Sequence, residues 1–461
     1  LDIINQIAKH IVETVSTVNK IGAGNTGGKT VDDLTPAYLG ARLARMRLQL
    51  GQSRREEITQ RRLAQALDVK PQAYNSWEQG KALPRLDHLW RLARYYRVSL
   101  DRLCGYERDA EATGGIEWTS LRRPESEEDE QALELFYQAA AGTVGEVPES
   151  KVAVAIRHVI YSQLLRITRA PRPDEALGEA LKKCFNTGGK KRLKDVWVVP
   201  CAAGVPDQLR ALVIGVAAKE YLLQHLDGNP AIGLAPGYAV SCMVRAMYRE
   251  DPIKPFSVYP LVAFPVVDRP DIDANTLIGE LLYKYADRGV RGLMLQCPGF
   301  TLNGNGLEHN PSAREVLTRA TCVDMAFIGI GSIEGPVPYF DRGIMNILDM
   351  TGISVESLKE RGIVGDLCFH LLDAAGNPQE KRLSAGLNAV SLETLQHLVS
   401  IGRQVVVLAS NPLKAAPIYA AIRGGDSSRG YVNVLIITSQ VAERLLALAE
   451  SAQHDAALRL P

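Results

Sequence analysis

Gln72, Asn75 and Ser76 are crowded into the stretch 71–79 (PQAYNSWEQ), with Gln72 and Ser76 one helical turn apart and Asn75 beside them. Glutamine and asparagine amides can grip the major-groove edge of adenine with two hydrogen bonds, and a serine hydroxyl can serve several bases. Gln60 and Lys70 come just before them. A glutamine at a helix start can donate to a phosphate alongside the free backbone N–H groups there. Lys70, at a turn, is better placed for backbone phosphate than for a base edge. The chemistry on offer is recognition of double-stranded DNA.

Two short helices must hold these side chains. Thr59 can N-cap the first, whose Leu63, Ala64 and Leu67 share an apolar face. A break at 68–71 (DVKP) follows. Pro71 then opens the second helix, where its missing N–H costs nothing. That helix sends Ala73, Tyr74 and Trp77 inward as core and leaves Gln72, Asn75, Ser76 and Gln79 outward, until Gly80 stops it in a left-handed conformation. Two short helices meeting steeply, the second with an amide-and-hydroxyl face, match the demands of major-groove reading. A preceding helix over 38–50 buries Leu39, Leu43 and Met46 and turns Arg42, Arg45 and Arg47 outward, to phosphate or to solvent. Residues 40–108 carry 15 Lys and Arg against 7 Asp and Glu, so this module is basic. Glu78 is expected to orient Arg or Lys side chains within it.

At T-Q-x-x-L-A (59–64), W-E-x-G (77–80) and P-x-L-x-x-L-x-x-L-A (84–93) the segment resembles the XRE-type helix-turn-helix. It departs from that pattern at Pro71, where the family often has a base-reading residue, and at Asp68, where the family has a turn glycine.

A chain of 461 residues should hold two or three domains. With 46% apolar and 23% charged residues it can bury large cores. The net charge of +1 hides an asymmetry, since the basic module is followed by an acidic run at 124–130 (PESEEDE). Seven cysteines without a C-x-x-C, and without histidines at ligand spacing, argue against both a disulfide framework and a zinc site. Reduced thiols in a cytoplasmic protein are expected, with no metal and no cofactor. There is no apolar run long enough to span a membrane and no signal peptide. The sequence starts at Leu1 rather than Met, which suggests that the N-terminus is missing or processed.

Four segments are expected. Residues 1–36 combine a helix (Ile4, Ile7, Ile11, Val15) with a flexible linker at 22–28 (GAGNTGG). Residues 37–108 form the all-α helix-turn-helix domain. Residues 109–173 are a helical connector, in which 152–167 presents Val152, Ile156, Val159, Ile160, Gln163 and Leu164 either to another copy or to its own chain. From 174 to 461 strands alternate with helices. The strands fall at 196–200, 231–235, 256–264, 292–296, 326–330, 367–372, 405–409 and 432–438. The main helices fall at 208–226, 276–287, 391–401 and 413–423. Such alternation predicts an α/β domain with a mainly parallel sheet, whose ligands bind outside the carboxyl ends of the strands.

Four stretches of this half resemble the effector domain of SorC/DeoR-type sugar-responsive regulators: IGLAPGYAVSCMVRAM (232–247), FIGIGSIE (327–334), GIVGDLCFHLLDAAGNP (362–378) and KAAPIYAAIRGG…VNVLIITS (414–439). The resemblance implies a NagB/RpiA/CoA-transferase-like fold that binds a phosphorylated sugar, has lost catalysis and forms dimers or tetramers. Carried onto this chain, the family's phosphate loop falls on Gly237 and Tyr238. Here Ala239 lacks the family's hydroxyl, and Tyr238 is bulky where the backbone meets ligand. Lys414 matches the family's helix-start lysine and Asp366 its acidic residue. Gln296, Ser332 and Glu334 lie on neighbouring strand-end loops. An insertion at 426–431 departs from the pattern, as does the XRE-type front module itself.

These readings converge on a non-enzymatic, cytoplasmic transcriptional regulator. A small sugar or sugar phosphate would tune its affinity for a palindromic operator, and it would act as a homodimer or homotetramer away from membranes. Two alternatives stay open: a degenerate pocket serving only as an oligomerisation scaffold, and a sugar-phosphate isomerase-like enzyme. Against the second, no paired carboxylates, Ser-His-Asp order or metal cluster is recognisable in the strand-end loops.

Overall fold

The computed structural model describes residues 36–54, 58–96, 103, 117–120, 126–140, 147–161, 165–201, 204–263, 269–302, 307, 310–335, 342–379, 381–424 and 429–458. The expected helix at 1–19, the linker at 22–28, the residues Gln163 and Leu164, and residues 426–428 of the insertion lie outside these. The chain divides into two compact units, 1–137 with 153–166 and 138–152 with 167–461.

The first unit contains α1 (Pro36–Arg54), α2 (Gln60–Ala66), α3 (Pro71–Glu78) and α4 (Leu86–Tyr96). Thr59 Oγ1 accepts from the Arg62 N–H at 3.2 Å and so caps α2. Pro71 occupies the first turn of α3. Leu39, Leu43, Leu63, Ala64, Leu67, Tyr74, Trp77 and Leu92 form one buried cluster. At the α2–α3 turn Asp68 takes φ +53°, a left-handed conformation that explains the family's preference for glycine there. Arg91 steadies this turn, its Nη1 donating to the Leu67 carbonyl at 2.9 Å. Gly40 lets α1 cross the end of α3, since a Cβ there would lie 2.6 Å from the Trp77 oxygen. Helix α1 runs four residues past the expected end at 50. Two later helices follow, α5 (Glu127–Ala140) and α6 (Glu149–Tyr161). On α6, Val152, Ile156 and Val159 are buried while Val154 is exposed.

In the second unit the strands are β1 (Asp195–Val199), β2 (Ala231–Leu234), β3 (Ser257–Pro260), β4 (Arg291–Gly292), β5 (Met325–Ile328), β6 (Gly331–Ser332), β7 (Ile363–Leu367), β8 (His370–Asp373), β9 (Gln404–Ala409) and β10 (Val434–Thr438). The helices are α7 (Glu175–Phe185), α8 (Asp207–Gln224), α9 (Tyr238–Ala246), α10 (Ala274–Tyr285), α11 (Pro311–Ala320), α12 (Arg342–Thr351), α13 (Val355–Glu360), α14 (Lys381–Gly386), α15 (Leu392–Ser400), α16 (Ala415–Arg423) and α17 (Ser439–Leu458). Seven strands form a parallel sheet in the order β1-β10-β9-β5-β2-β3-β4. Every residue of β5 and β10 is buried, so both faces of the sheet are covered there. The remaining three strands form an antiparallel sheet, β8-β7-β6.

The structure corrects the expected strand at 367–372. Its centre is the tight turn of a hairpin, in which Cys368 (φ +50°) and Phe369 (φ +68°) both adopt left-handed backbone between β7 and β8. The expected strand at 292–296 shrinks to β4, beyond which Leu293 and Met294 are partly exposed.

Candidate functional site

In the helical module the outward face of α3 carries Gln72, exposed, with Asn75 and Ser76 half-buried beside it. Lys70 is exposed immediately before the helix. Gln60 lies at the start of α2, but its amide is engaged: Nε2 donates to Glu78 Oε2 at 2.6 Å. Glu78, 3% exposed, is the hub of this arrangement. Arg47 donates to it from Nε at 2.7 Å and from Nη2 at 3.2 Å, and the Tyr74 hydroxyl donates to it at 2.9 Å. Burial pushes the Tyr74 phenol up, so it stays protonated as a donor. Arg47 therefore points inward, contrary to the expected outward face, because a carboxylate this buried requires a counter-charge. Trp77 is buried in the core, its ring 4.9 Å from that of His88.

In the second unit the chain runs one way from β2, through β3 to β4, and the other way from β5, through β9 to β10. The crevice between the carboxyl ends of β2 and β5 is thus the topological switch point, where ligands of open α/β sheets bind. Gly237 and Tyr238 leave β2 there. Gly237 has φ +142°, a conformation that favours glycine, and no other atom lies within 4 Å of where a Cβ would stand. Tyr238 opens α9 half-buried, and Ala239 behind it is buried. A helix N-terminus at this place favours an anionic group. The loop after β5 is adjacent, since a Cβ on Gly329 would sit 4.0 Å from the Pro236 oxygen.

Ser332 is 1% exposed, and its hydroxyl donates to the Leu413 carbonyl at 2.7 Å, pinning the β5 loop to the turn that carries Lys414. The Lys414 side chain is half-buried at the start of α16. Glu334 accepts from Arg444 of α17. Asp366 pairs with Gly331 across β7 and β6, and its Oδ2 accepts from the Phe369 N–H at 3.1 Å. Five of the seven expected effector residues (Gly237, Tyr238, Ser332, Asp366 and Lys414) thus gather on three loops and the hairpin beside them, and Glu334 borders them. Gln296 is exposed beyond the edge strand β4, away from the switch point.

Several polar residues of this end escaped sequence reasoning. Asp207 accepts from the Ser410 hydroxyl at 2.8 Å and faces Arg210 at 3.6 Å. Asn411 Oδ1 accepts from the Leu413 N–H at 2.9 Å and shapes the Lys414 turn. Asp207 opens α8 and Asn411 precedes a proline, which are the available sequence signals. A separate cavity of about 240 Å³ lies at the opposite, amino ends of the strands, lined by Lys194, His225, Asp324 and Arg403 among others. Arg403 is paired with Asp324, and helix carboxyl termini converge at that end, so it lacks the field that draws an anion.

The hairpin beside Asp366 depends on a neutral imidazole. His370 Nε2 donates to the Val390 carbonyl at 3.0 Å, leaving Nδ1 to accept from Ser384 at 3.2 Å. Burial holds its pKa below the ordinary histidine value. The unfolded chain therefore binds a proton that the folded one resists. Stability should fall as pH drops below about 6.5, and be fully recovered above it. Thermal midpoints measured between about pH 5 and 7.5 should show this slope, and His370→Asn should flatten it.

A family model described as "Putative sugar-binding domain" matches residues 176–447, more than half of the chain. The chain belongs to this sugar-binding domain family. A helix-turn-helix model matches residues 52–103. Two curated relatives, both named transcriptional regulator LsrR, from an Enterobacter species and from Klebsiella pneumoniae, are each 33% identical over 147 residues. That match covers 31% of this chain and spans only 41% of each relative's length. The crystal structure of the full-length sorbitol operon regulator SorC from Klebsiella pneumoniae aligns with a TM-score of 0.50 at 18% identity. The alignment covers 70% of this chain and all of that one, and it supports the fold.

Proposed function

We propose that this protein of the sugar-binding domain family is a DNA-binding transcriptional regulator whose operator affinity is set by a small sugar or sugar phosphate. The observation that carries the reading is one chain holding both an α2–α3 pair with Gln72 and Lys70 exposed and an α/β domain whose parallel sheet has its topological switch point between β2 and β5. The two relatives named as transcriptional regulators support it. The domains divide near 37, 109 and 174, and the protein works in the cytoplasm. A lone helix-turn-helix reads one short half-site, so a symmetric homodimer or homotetramer on a palindromic operator completes the scheme. The effector acts by binding one arrangement of the paired readers better than another. The second unit binds its sugar and does not turn it over.

Selection of bound duplexes from a random pool, with and without a mixture of sugar phosphates, tests the scheme. A palindromic consensus whose recovery changes with the mixture is expected, with affinity falling steeply as salt rises. No enrichment, or binding indifferent to salt, sinks the proposal. On the selected duplex Gln72→Ala should cost about 1–3 kcal/mol and relax preference at one base pair. Lys70→Ala should weaken all sequences alike and lower the salt slope. Fluorescence anisotropy on matched and mismatched duplexes separates the two effects.

The loss of the hydroxyl at Ala239 favours a second reading, in which the crevice no longer takes phosphate and the domain only assembles the protein. A thermal-shift series with free and phosphorylated sugars decides between them, since a ligand that binds the folded state raises the midpoint by mass action.

A further inference from the structure

Residues 181–194 (LKKCFNTGGKKRLK) carry six Lys and Arg and no Asp or Glu, in a chain whose net charge is only +1. The segment links α7 to β1 and is held in one shape. Asn186 closes its base: Nδ2 donates to the Leu193 carbonyl and the Leu193 N–H donates to Oδ1, both at 2.8 Å. Within the loop the Lys190 N–H donates to the Thr187 carbonyl at 3.1 Å. Residues 187–191 are all exposed. Gly188 (φ +61°) and Gly189 (φ +76°) form the tip in left-handed backbone, and a Cβ on either would meet nothing within 4 Å.

Four of the six cations have a place within the fold. Arg192 is buried and donates to the Ile422 carbonyl in α16 at 2.7 Å. Lys194 Nζ donates to the Gly402 carbonyl, just beyond α15, at 3.1 Å. Lys182 pairs with Glu179, and Lys183 beside it stands in the last turn of α7, where a cation offsets the helix dipole. Lys190 and Lys191 have no such role. Among the described residues neither forms an ion pair, and no acidic residue of the loop offsets their repulsion from each other and from the cations beside them.

We propose that this loop is a second DNA contact, carried by the α/β unit, in which Lys190 and Lys191 engage backbone phosphates without reading sequence. The proposal rests on the DNA-binding reading above and adds to it a surface outside the helix-turn-helix. A duplex is a dense line of phosphates with a condensed cation atmosphere, so exposed lysines gain affinity by releasing those cations. The tip, bare of side chains, lets backbone come close to a phosphate. A small anion would instead need a concave site, and the effector's place lies at the carboxyl ends of the strands, whereas this loop leads into the amino end of β1. A lipid surface fits less well, because residues 186–192 carry no apolar side chain to bury in it. A protein partner also fits less well, because lysine is depleted from protein–protein interfaces.

Fluorescence anisotropy of the full chain on duplex DNA, repeated across a range of salt, tests the assignment. Lys190→Gln/Lys191→Gln should weaken binding about tenfold and lower the slope of log affinity against log salt by about two, at about 0.9 per phosphate released. The loss should be equal on matched and mismatched duplexes, since phosphates carry no sequence. Both positions are exposed, so the thermal midpoint should match the parent's. Lys359→Gln/Arg361→Gln removes the same charge from the exposed end of α13 and should leave affinity and slope unchanged. Parent-like affinity and slope in the loop variant overturn the contact. An equal loss in the α13 variant also overturns it, by reducing the effect to net charge. So does retained DNA binding together with lost binding to phosphatidylglycerol vesicles, which makes the loop a lipid contact. If the parent binds all duplexes alike while the loss still follows the loop, the operator reading fails and this contact stands. If the parent binds no duplex, both fail.

Discussion

Glu78→Ala should cost the helical module about 3 kcal/mol or more, the scale observed when one partner of a buried ion pair is removed. Arg47, Gln60 and Tyr74 all donate to this one carboxylate. Its removal leaves a guanidinium only 18% exposed, along with an amide and a phenol, without their acceptor. A module of this length has roughly 4–10 kcal/mol in total, so much of its stability would go. The loss should stay local, since every named member of the network sits on α1, α2 or α3. Hydrogen exchange should lose protection across 58–96 and keep it across 404–438. Glu78→Gln preserves the shape and part of the hydrogen bonding, and should fall between parent and alanine variant. DNA affinity should follow the same order, because α3 would lose its fixed angle to α2. Undiminished protection of α3 in the alanine variant would show that Glu78 is not the hub.

Gly365→Ala should be as damaging in the other unit. A Cβ there would lie 2.1 Å from the Gly331 oxygen and 2.8 Å from Pro417 Cβ. The oxygen belongs to the β6–β7 pairing and cannot step aside as a flexible side chain would. Overpacking typically costs ~1–3 kcal/mol, and a clash with backbone belongs at or beyond the top of that range. The hairpin would be forced away from Ser332 and from the Lys414 turn, so ligand response should disappear together with stability. Gly329→Ala is the control in the same region, since its new methyl would meet only the Pro236 oxygen at 4.0 Å. Equal urea midpoints for the two variants would contradict this account.

The parallel strands were legible because strands covered on both faces appear as unbroken apolar runs such as VVVLA and VLIIT, and most fell within two residues of their expected place. The β7–β8 hairpin was hidden because its turn is built from Cys368 and Phe369. Apolar residues there lack the Asn-Gly signal of a turn that demands left-handed backbone. In the helical module the spacing placed Tyr74 and Trp77 inside, but it could not show Arg47 folding in to a carboxylate on another helix. At the crevice, quoted motifs led to Gly237, Ser332, Asp366 and Lys414. Asp207 and Ser410 meet only because the fold brings the start of α8 against the end of β9. Residues that a fold assembles from distant strand ends have no local pattern to betray them.

The place of β10 also bears on how the chain is made. β1 is hydrogen-bonded in the sheet to β10, a strand that leaves the ribosome only when the domain is almost complete. Until then the first strand must wait with its edge uncovered, while the helical module upstream, built from contacts close in sequence, has long since folded. Translation halted ahead of Val434 should therefore yield a finished head on a sticky, protease-prone body, a division of labour set by strand order alone.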